Sequence, residues 1–442
     1  MHLPIARSTA FRFLGAGAIL SLIMLAFLVL GRDPHSDRDG YRYILKNPGQ
    51  YSPTISQGEC DCSSAEPNGT EWEFNVQRDG NNHGLSESQC LSAFPKLFGE
   101  SNRMMERRVA SGNLITFKEV DDLARRGEDG MVRAAVIDGE LYILDFGPMP
   151  YTFTRGKATL HSLHRALTAI PDRSHLPNIE FVFSTDDFSN GVSPIWSYSK
   201  RPEDEGVWLM PDFGYWAWPE TQIGSYSEIR RQIATVDDPQ ELPFRAKKKQ
   251  LAWRGGVAPN PDLRGSLLKA TRGKSWASLR EINWSDPDNV RQNLLPMQDY
   301  CRYMFLAHTE GRSFSGRGKY LLNCRSVVVS HKLQWLEAHH GALIASGPEA
   351  NFVEVERDFS DLERKIEFLL DNPAAAERIA ENAVRTFRDR YLTPAAESCY
   401  WRHLVRRYAE ASAFEPVLFE ERKGMGRVAR GVSFESWALM QG

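Results

Sequence analysis

Cysteine is scarce in this chain: six residues in 442. That ratio excludes a small disulfide-stapled scaffold. An excess of charge is also missing, because 54 Lys and Arg face 57 Asp and Glu, a formal net of −3. Nucleic-acid binding driven by bulk charge is therefore excluded. Apolar residues are not depleted; at 42% they are ordinary for a globular protein and too many for a wholly disordered one. After residue 31 no apolar run is long enough to span a bilayer, so the chain has one candidate span. The P-loop spacing G-x-x-x-x-G-K-S/T is absent, as is G-x-G-x-x-G with an acidic partner. Cys60-Asp61-Cys62 has no nearby His or second Cys pair, which makes a zinc site a poor reading.

What is present begins with the segment Phe13 to Gly31, 19 residues with one Ser and no charge. A helix crossing a bilayer needs about 20 such residues, whereas a cleaved signal core has about 7–15. Arg32, Asp33 and Pro34 follow directly, without a small-residue cleavage site. The expectation is a signal anchor with residues 1–12 in the cytosol and the body in the secretory lumen. Charge on the two flanks gives no decisive orientation. A long cleaved signal peptide is the alternative. Two sequons, Asn68-Gly69-Thr70 and Asn283-Trp284-Ser285, suit a luminal body. So does an even cysteine count, which allows three disulfides in an oxidising compartment.

At roughly 150 residues per domain the length suggests two or three domains. Residues 32–110 read as a stem and irregular region. Met131 to Ile137 and Glu140 to Leu144 flank Asp138-Gly139, a hairpin signal. Thr159 to Ile170 has helical apolar spacing. Ile179 to Phe183 is a buried-strand run ending in Ser184-Thr185-Asp186-Asp187. Gln250 to Trp253, Val327 to Ser330, Ala342 to Ala345 and Phe352 to Val355 read as further strands. Leu333 to His339, Asp358 to Leu370, Ala374 to Tyr391 and Ala395 to Ala413 read as helices. Alternating strands and helices imply an α/β fold with parallel sheets covered by helices. A split near 245 gives two doubly wound domains, 111–245 and 246–442, facing a cleft. Ligands in such sheets sit beyond the carboxyl ends of the strands.

Three clusters carry chemistry. Asp186 and Asp187 end the 179–183 strand, where a carboxylate suits a general base; the same pair suits a helix cap. Arg254-Gly255-Gly256 with Arg264, and Arg312-Ser313-Phe314-Ser315-Gly316-Arg317-Gly318-Lys319, combine small residues with guanidinium forks and suit a diphosphate; a solvated basic loop has the same composition. Trp196, Tyr198, Trp208, Phe213, Tyr215, Trp216 and Trp218, with Asp212, crowd one short stretch. Aromatic faces suit sugars, yet aromatic residues also fill cores. Asp212 in Pro-Asp-Phe-Gly does not make a kinase, because the partner motifs are missing.

The blocks LAWRGG (251–256), DYCRYMFLAHTEG (299–311), SFSGRGKYLLNCRSVVV (313–329), QWLEAHH (334–340) and ESCYWRHLVRRY (397–408), in order and spacing, resemble glycosyltransferase family 90. This is the family of capsule-associated and Rumi-type protein O-glucosyltransferases, and the likeness is to its membrane-anchored, fungal-like members. The resemblance implies a GT-B fold of two Rossmann-like domains behind an N-terminal transmembrane anchor. It implies inverting transfer of glucose or xylose from a UDP-sugar to a glycan, glycolipid or protein acceptor. The family's catalytic Asp falls on Asp187, with Asp186 one residue away. Its Arg-Gly-Ser turn falls on Arg254-Gly255-Gly256, with Gly in place of Ser, and a following Arg falls on Arg264. Its Ser-x-Arg-x-Lys falls on Ser315-Gly316-Arg317-Gly318-Lys319, which gives Arg317 the diphosphate. Arg312, Ser313, Phe314, Ser315 and Gly316 are expected around the same group, and Asp186, Asp212, Phe213 and Trp216 at the acceptor or sugar. A Cys301–Cys324 disulfide is implied, and Cys399 is expected to pair with Cys60 or Cys62. No metal is expected. The alternatives are Mn²⁺ on Asp186 or Asp187, and a non-catalytic lectin using the aromatic stretch. No ER-retention tetrapeptide ends the chain, which points to anchoring in the Golgi membrane, with the ER as the alternative.

Overall fold

The computed structural model describes residues 72–440, apart from 126–129, 188–190, 192 and 222. The expected anchor 13–31, most of the stem, Cys60, Cys62 and the Asn68 sequon lie outside the described residues. Among the described residues no helix is long and apolar enough to cross a membrane. Residues 71–442 form one compact unit, with a mixed α/β architecture built on two main sheets.

The first sheet starts from the Asp-Gly hairpin. Strands β1 (Met131–Ile137) and β2 (Glu140–Gly147) pair antiparallel. Asp138 and Gly139 both take positive φ, 51° and 74°, as a type I′ turn requires. Strand β3 (Ile179–Ser184) is buried along its whole length and pairs antiparallel with β1. Two short parallel strands follow, β4 (Trp196–Ser197) and β5 (Trp208–Leu209). This half is therefore a mixed sheet, not the wholly parallel one expected from strand–helix alternation. A two-residue Asp-Gly turn can only join antiparallel neighbours.

The second sheet matches the expectation. Strand β6 (Lys248–Gly255) lies between β7 (Ala277–Glu281) and β8 (Tyr303–His308), with β9 (Val327–His331) and β10 (Val353–Val355) beyond. All of its pairs are parallel. Its apolar face packs Trp253, Phe305, Val327 and Val329 under helices Pro261–Thr271, Leu362–Asp371 and Pro373–Ala383.

Helix Pro394–Glu410 is buried through most of its length and packs against helices Gly99–Ser111 and Phe153–Thr168. It brings Cys399 onto Cys90, and these two form a disulfide. The expected partner, Cys60 or Cys62, is thus replaced by a cysteine on helix Glu87–Ala93, a pairing that sequence order does not reveal. The expected Cys301–Cys324 disulfide is present.

Two other expectations fail for one reason. Leu333 to His339 is not a helix, because its backbone donors have tertiary partners. The N–H groups of Gln334 and Trp335 donate to Glu310 Oε1 at 2.7 and 2.9 Å, and Leu336 bridges to Lys200. Ala342 to Ala345 is not a strand. The Asn351 side chain accepts from the Ile344 N–H and donates to the Ala342 carbonyl, both at 2.9 Å, so an amide replaces the neighbouring strand.

Candidate active site

The carboxyl ends of β3, β6 and β8 converge on one cavity of about 1060 Å³. Open sheets place ligands at such ends because short strand-to-helix loops there carry exposed backbone and side-chain groups. Asp187, Phe213, Trp218 and Glu220 line it from the first half of the chain. Arg254, Gly256, Arg264, Arg312, Phe314, Ser315, Gly316 and Arg317 line it from the second.

Asp187 is placed by the end of β3. The side chain of Asp186 folds back and accepts the Asp187 N–H at 2.7 Å, so Asp186 serves the local turn and does not line the cavity. The Asp187 carboxylate faces Arg155, whose Nη1 donates to Oδ1 at 2.5 Å. Its backbone carbonyl accepts from the Ser313 hydroxyl. Ser313 is therefore a tie between the two halves of the site. It is fully buried and does not line the cavity where a ligand was expected to meet it.

The cationic wall is unusual in its partners. Arg254 Nη1 donates to the carbonyls of Trp253 and Ser278. Arg264 donates to the carbonyls of Glu310 at 3.0 Å and Gly256 at 2.7 Å. Arg317 donates to the Arg254 carbonyl and sits between the rings of Trp253 and Tyr300, 5.9 and 5.7 Å from their centroids. Its Nε is buried without a partner. Among the described residues no carboxylate forms an ion pair with any of these three guanidiniums or with Arg312. Burial first, and then Arg317, lower the Arg264 guanidinium to about 10. Carbonyl bonds orient cations without neutralising them, so this wall carries net positive charge toward the cavity. Such a surface is complementary to a multiply charged anion such as a diphosphate.

Phe314, Ser315 and Gly316 form the rim beside Arg317, and helix Gly318–Leu321 starts just after it. Gly316 allows close approach: a Cβ there would lie 3.2 Å from the Trp218 ring. Lys319 points away from the cavity. It is buried against both oxygens of Asp212, at 2.7 and 2.9 Å, and donates to the Gly316 carbonyl at 2.8 Å. Asp212 also accepts the Gly214 N–H. The pair fastens the 313–318 loop to the aromatic stretch.

That contact takes up Asp212, expected at the acceptor or sugar, and Asp212 does not line the cavity. Trp216 is likewise placed elsewhere: it stacks on His161 at 5.0 Å, and the Arg165 guanidinium carbon lies 5.0 Å from its ring centroid. Trp196, Tyr198 and Trp208 are buried in the core, Trp196 stacked on Phe181 at 3.9 Å. Of the aromatic stretch, Phe213 and Trp218 remain at the cavity. Sequence reasoning missed Arg155, Glu220, Trp284 and Tyr300. Their signal was weak: an Arg-Gly at a helix start, and single residues in loops.

Asp186 and Asp187 do not form a metal site with a third ligand among the described residues. Metal-type donors group at Glu337, His339 and His340, away from both aspartates. There the Glu337 N–H donates to His340 Nδ1 at 3.2 Å, which leaves the ring proton on Nε2, 3.2 Å from Glu337 Oε2. That arrangement is a buried Glu–His contact.

Residues 110–433 match the model of the family described as Glycosyl transferase family 90. The chain is 24% identical to "O-glucosyltransferase rumi homolog" of Aedes aegypti over 428 residues, 90% of this chain and 96% of that protein. It is 23% identical to "Protein O-glucosyltransferase 1" of Homo sapiens over 285 residues, 61% of this chain and 69% of that protein. A shorter match, 28% identical over 138 residues, is to "Protein O-glucosyltransferase 3" of Rattus norvegicus, covering 31% of this chain and 26% of that protein.

Proposed function

The chain belongs to glycosyltransferase family 90 and is a glycosyltransferase, and on that premise we propose that it moves glucose or xylose from a UDP-sugar to a hydroxyl acceptor with inversion. The acceptor is a protein or glycan hydroxyl, with a glycolipid as a third class. The observation that carries the reading is that the guanidiniums of Arg254, Arg264 and Arg317, held by backbone carbonyls and without a carboxylate partner among the described residues, share one cavity with Asp187. The mixed and parallel sheets are read as the two halves of a GT-B enzyme.

In this reading the acceptor oxygen attacks the anomeric carbon from the face opposite UDP. Its proton passes to Asp187, and the bond from the anomeric carbon to the phosphate oxygen breaks. The electron pair leaves with the diphosphate, whose growing charge Arg317, Arg264 and backbone N–H groups of the 314–318 loop are placed to meet. Preorganised donors of this kind contribute about 3–4 kcal/mol each where single donors have been removed. Guanidiniums take the place that a metal ion holds in other phosphate sites, so no metal is required. The Mn²⁺ alternative fits poorly, since Asp186 is turned to a backbone N–H and one oxygen of Asp187 already faces the Arg155 cation.

The two disulfides support folding in an oxidising compartment. Asn283 of the second sequon is exposed, as glycosylation requires. With residues 13–31 as the anchor, the protein is placed in the Golgi membrane as a single-pass type II protein; the ER is the alternative. A panel of UDP-sugars tests the reading by UDP release and thermal shift, with and without EDTA. One UDP-sugar should be turned over in EDTA. Activity that is lost in EDTA and restored by Mn²⁺ overturns the metal-free mechanism, and sugar binding without UDP binding overturns catalysis.

A further inference from the structure

Asp187 has two carboxylate oxygens, and the structure treats them differently. Oδ1 accepts from Arg155 Nη1 at 2.5 Å. Oδ2 accepts no hydrogen bond among the described residues. The main chain of the same residue is held at both ends: its N–H donates to Asp186 Oδ1, and its carbonyl accepts from the hydroxyls of Ser313 and, at 3.4 Å, Ser199.

Arg155 is itself fixed. It stands in the first turn of helix Phe153–Thr168, and its carbonyl accepts from Thr159 Oγ1 at 2.9 Å. Thr159 in turn meets Tyr198 Oη at 2.7 Å inside the core. The guanidinium carbon lies 4.9 Å over the ring of Phe213, which lines the same cavity. The next residue, Gly156, brings the helix start close to the turn that bears Asp187. A Cβ on Gly156 would come within 3.3 Å of Thr185 Cγ2 and 3.1 Å of Phe146. The Arg155 side chain is 14% exposed and that of Asp187 is 41% exposed. The cation is thus the more enclosed member of the pair, and the carboxylate is the member more open to the cavity.

We infer that Arg155 is a positioning residue: it clamps Asp187 through Oδ1 and leaves Oδ2 as the atom that takes the acceptor proton. The inference rests on Asp187 being the base. The terminal torsion of an aspartate is broad and nearly two-fold, so an unclamped carboxylate would rotate among several orientations. Proton abstraction needs the oxygen within hydrogen-bond reach of the acceptor hydroxyl. A misplacement of about 1 Å can cost about 10²-fold in rate. Asp186, being turned toward the main chain, has no free oxygen so placed.

The test compares Arg155→Ala and Arg155→Lys in the full chain, measuring kcat, KM for the acceptor and UDP affinity. Arg155→Ala should lower kcat by about 10²-fold while UDP affinity stays within twofold, because Arg155 faces the base and not the diphosphate wall. Arg155→Lys keeps a cation within reach and should recover part of kcat. In an Asp187→Asn background, Arg155→Ala should cause no further loss. Loss of UDP affinity with kcat preserved would make Arg155 a donor ligand and overturn the inference, as would unchanged kinetics. Should Arg155→Ala fail to fold, Arg155→Lys and Arg155→Gln decide. With UDP binding intact, a smaller loss in Arg155→Lys than in Arg155→Gln supports the clamp; equal loss in both overturns it. If Asp187→Asn itself transfers sugar normally, the base assignment falls, a separate outcome from failure of the clamp alone.

Discussion

Replacing Arg317 by Ala should weaken UDP binding about 30-fold, and the structure sets that size. One terminal nitrogen of Arg317 is committed to the Arg254 carbonyl, with a long 3.4 Å contact to Tyr300 Oη. Its Nε is buried and has no partner, so part of the fork is available to an incoming oxygen. Hydrogen bonds to charged groups contribute about 1.5–3 kcal/mol net, and 1.4 kcal/mol is tenfold in affinity. The loss of one charge-assisted contact, near 2 kcal/mol, gives that 30-fold figure. Folding should suffer less than binding. The variant loses ring contacts with Trp253 and Tyr300 and strands the Arg254 carbonyl, but it also removes a half-buried cation that repels Arg264. Arg317→Lys should fall between the two, since an ammonium keeps the charge without the fork. Isothermal titration of UDP into wild type and both variants provides the measurement, with thermal melts of the apo proteins as the folding control. A UDP affinity for Arg317→Ala within twofold of wild type would refute the reasoning, because the account gives Arg317 an anion to hold.

Two further outcomes concern stability. Cys399→Ala should destabilise the fold by about 2–5 kcal/mol, since the Cys90–Cys399 link closes most of the chain; a melting temperature unchanged against wild type contradicts this. His403 is 4% exposed, stacks on Phe98 at 4.2 Å and meets Asn102 Oδ1 at 2.7 Å. Burial first, and then Arg407 and Arg406, lower it to about 3. The unfolded chain, with histidine near 6.5, takes up the proton first as pH falls. The stability contribution is therefore complete above about pH 6.5 and shrinks toward pH 3, by about 2 kcal/mol at pH 5. Melting temperatures at pH 7.5 and 5 should converge in His403→Gln relative to wild type, and an equal fall in both would contradict the assignment.

Much of the fold was readable where local pattern and tertiary partner agree. Asp138-Gly139 fixes its hairpin by backbone conformation alone, and IEFVF is long and apolar enough to be a buried strand wherever it pairs. The parallel sheet followed from strand–helix alternation. The misread segments are those whose polar groups find distant partners. Leu333 to His339 has helical spacing, but Glu310 takes its first donors. Ala342 to Ala345 is apolar, but a side-chain amide from Asn351 serves it. The site shows the same division. Small residues and arginines at 312–318 announce an anion loop by chemistry. Asp212 in its aromatic stretch gave no sign that Lys319, 107 residues later, would neutralise it. Tryptophan composition could not separate Trp196 and Trp208, which build the core, from Trp218, which reaches the cavity. Cys90 was indistinguishable from Cys60 and Cys62 until helix Pro394–Glu410 brought Cys399 to it.

The central claim is that Asp187 takes the acceptor proton while arginines hold the leaving group. Its most direct test is Asp187→Asn, assayed for sugar transfer and for UDP affinity on the same preparation, with Asp186→Asn beside it. The account predicts that Asp187→Asn loses transfer by about 10²–10⁴-fold with UDP affinity retained, while Asp186→Asn keeps most of its activity. Normal transfer by Asp187→Asn, or loss of transfer in Asp186→Asn alone, would contradict it.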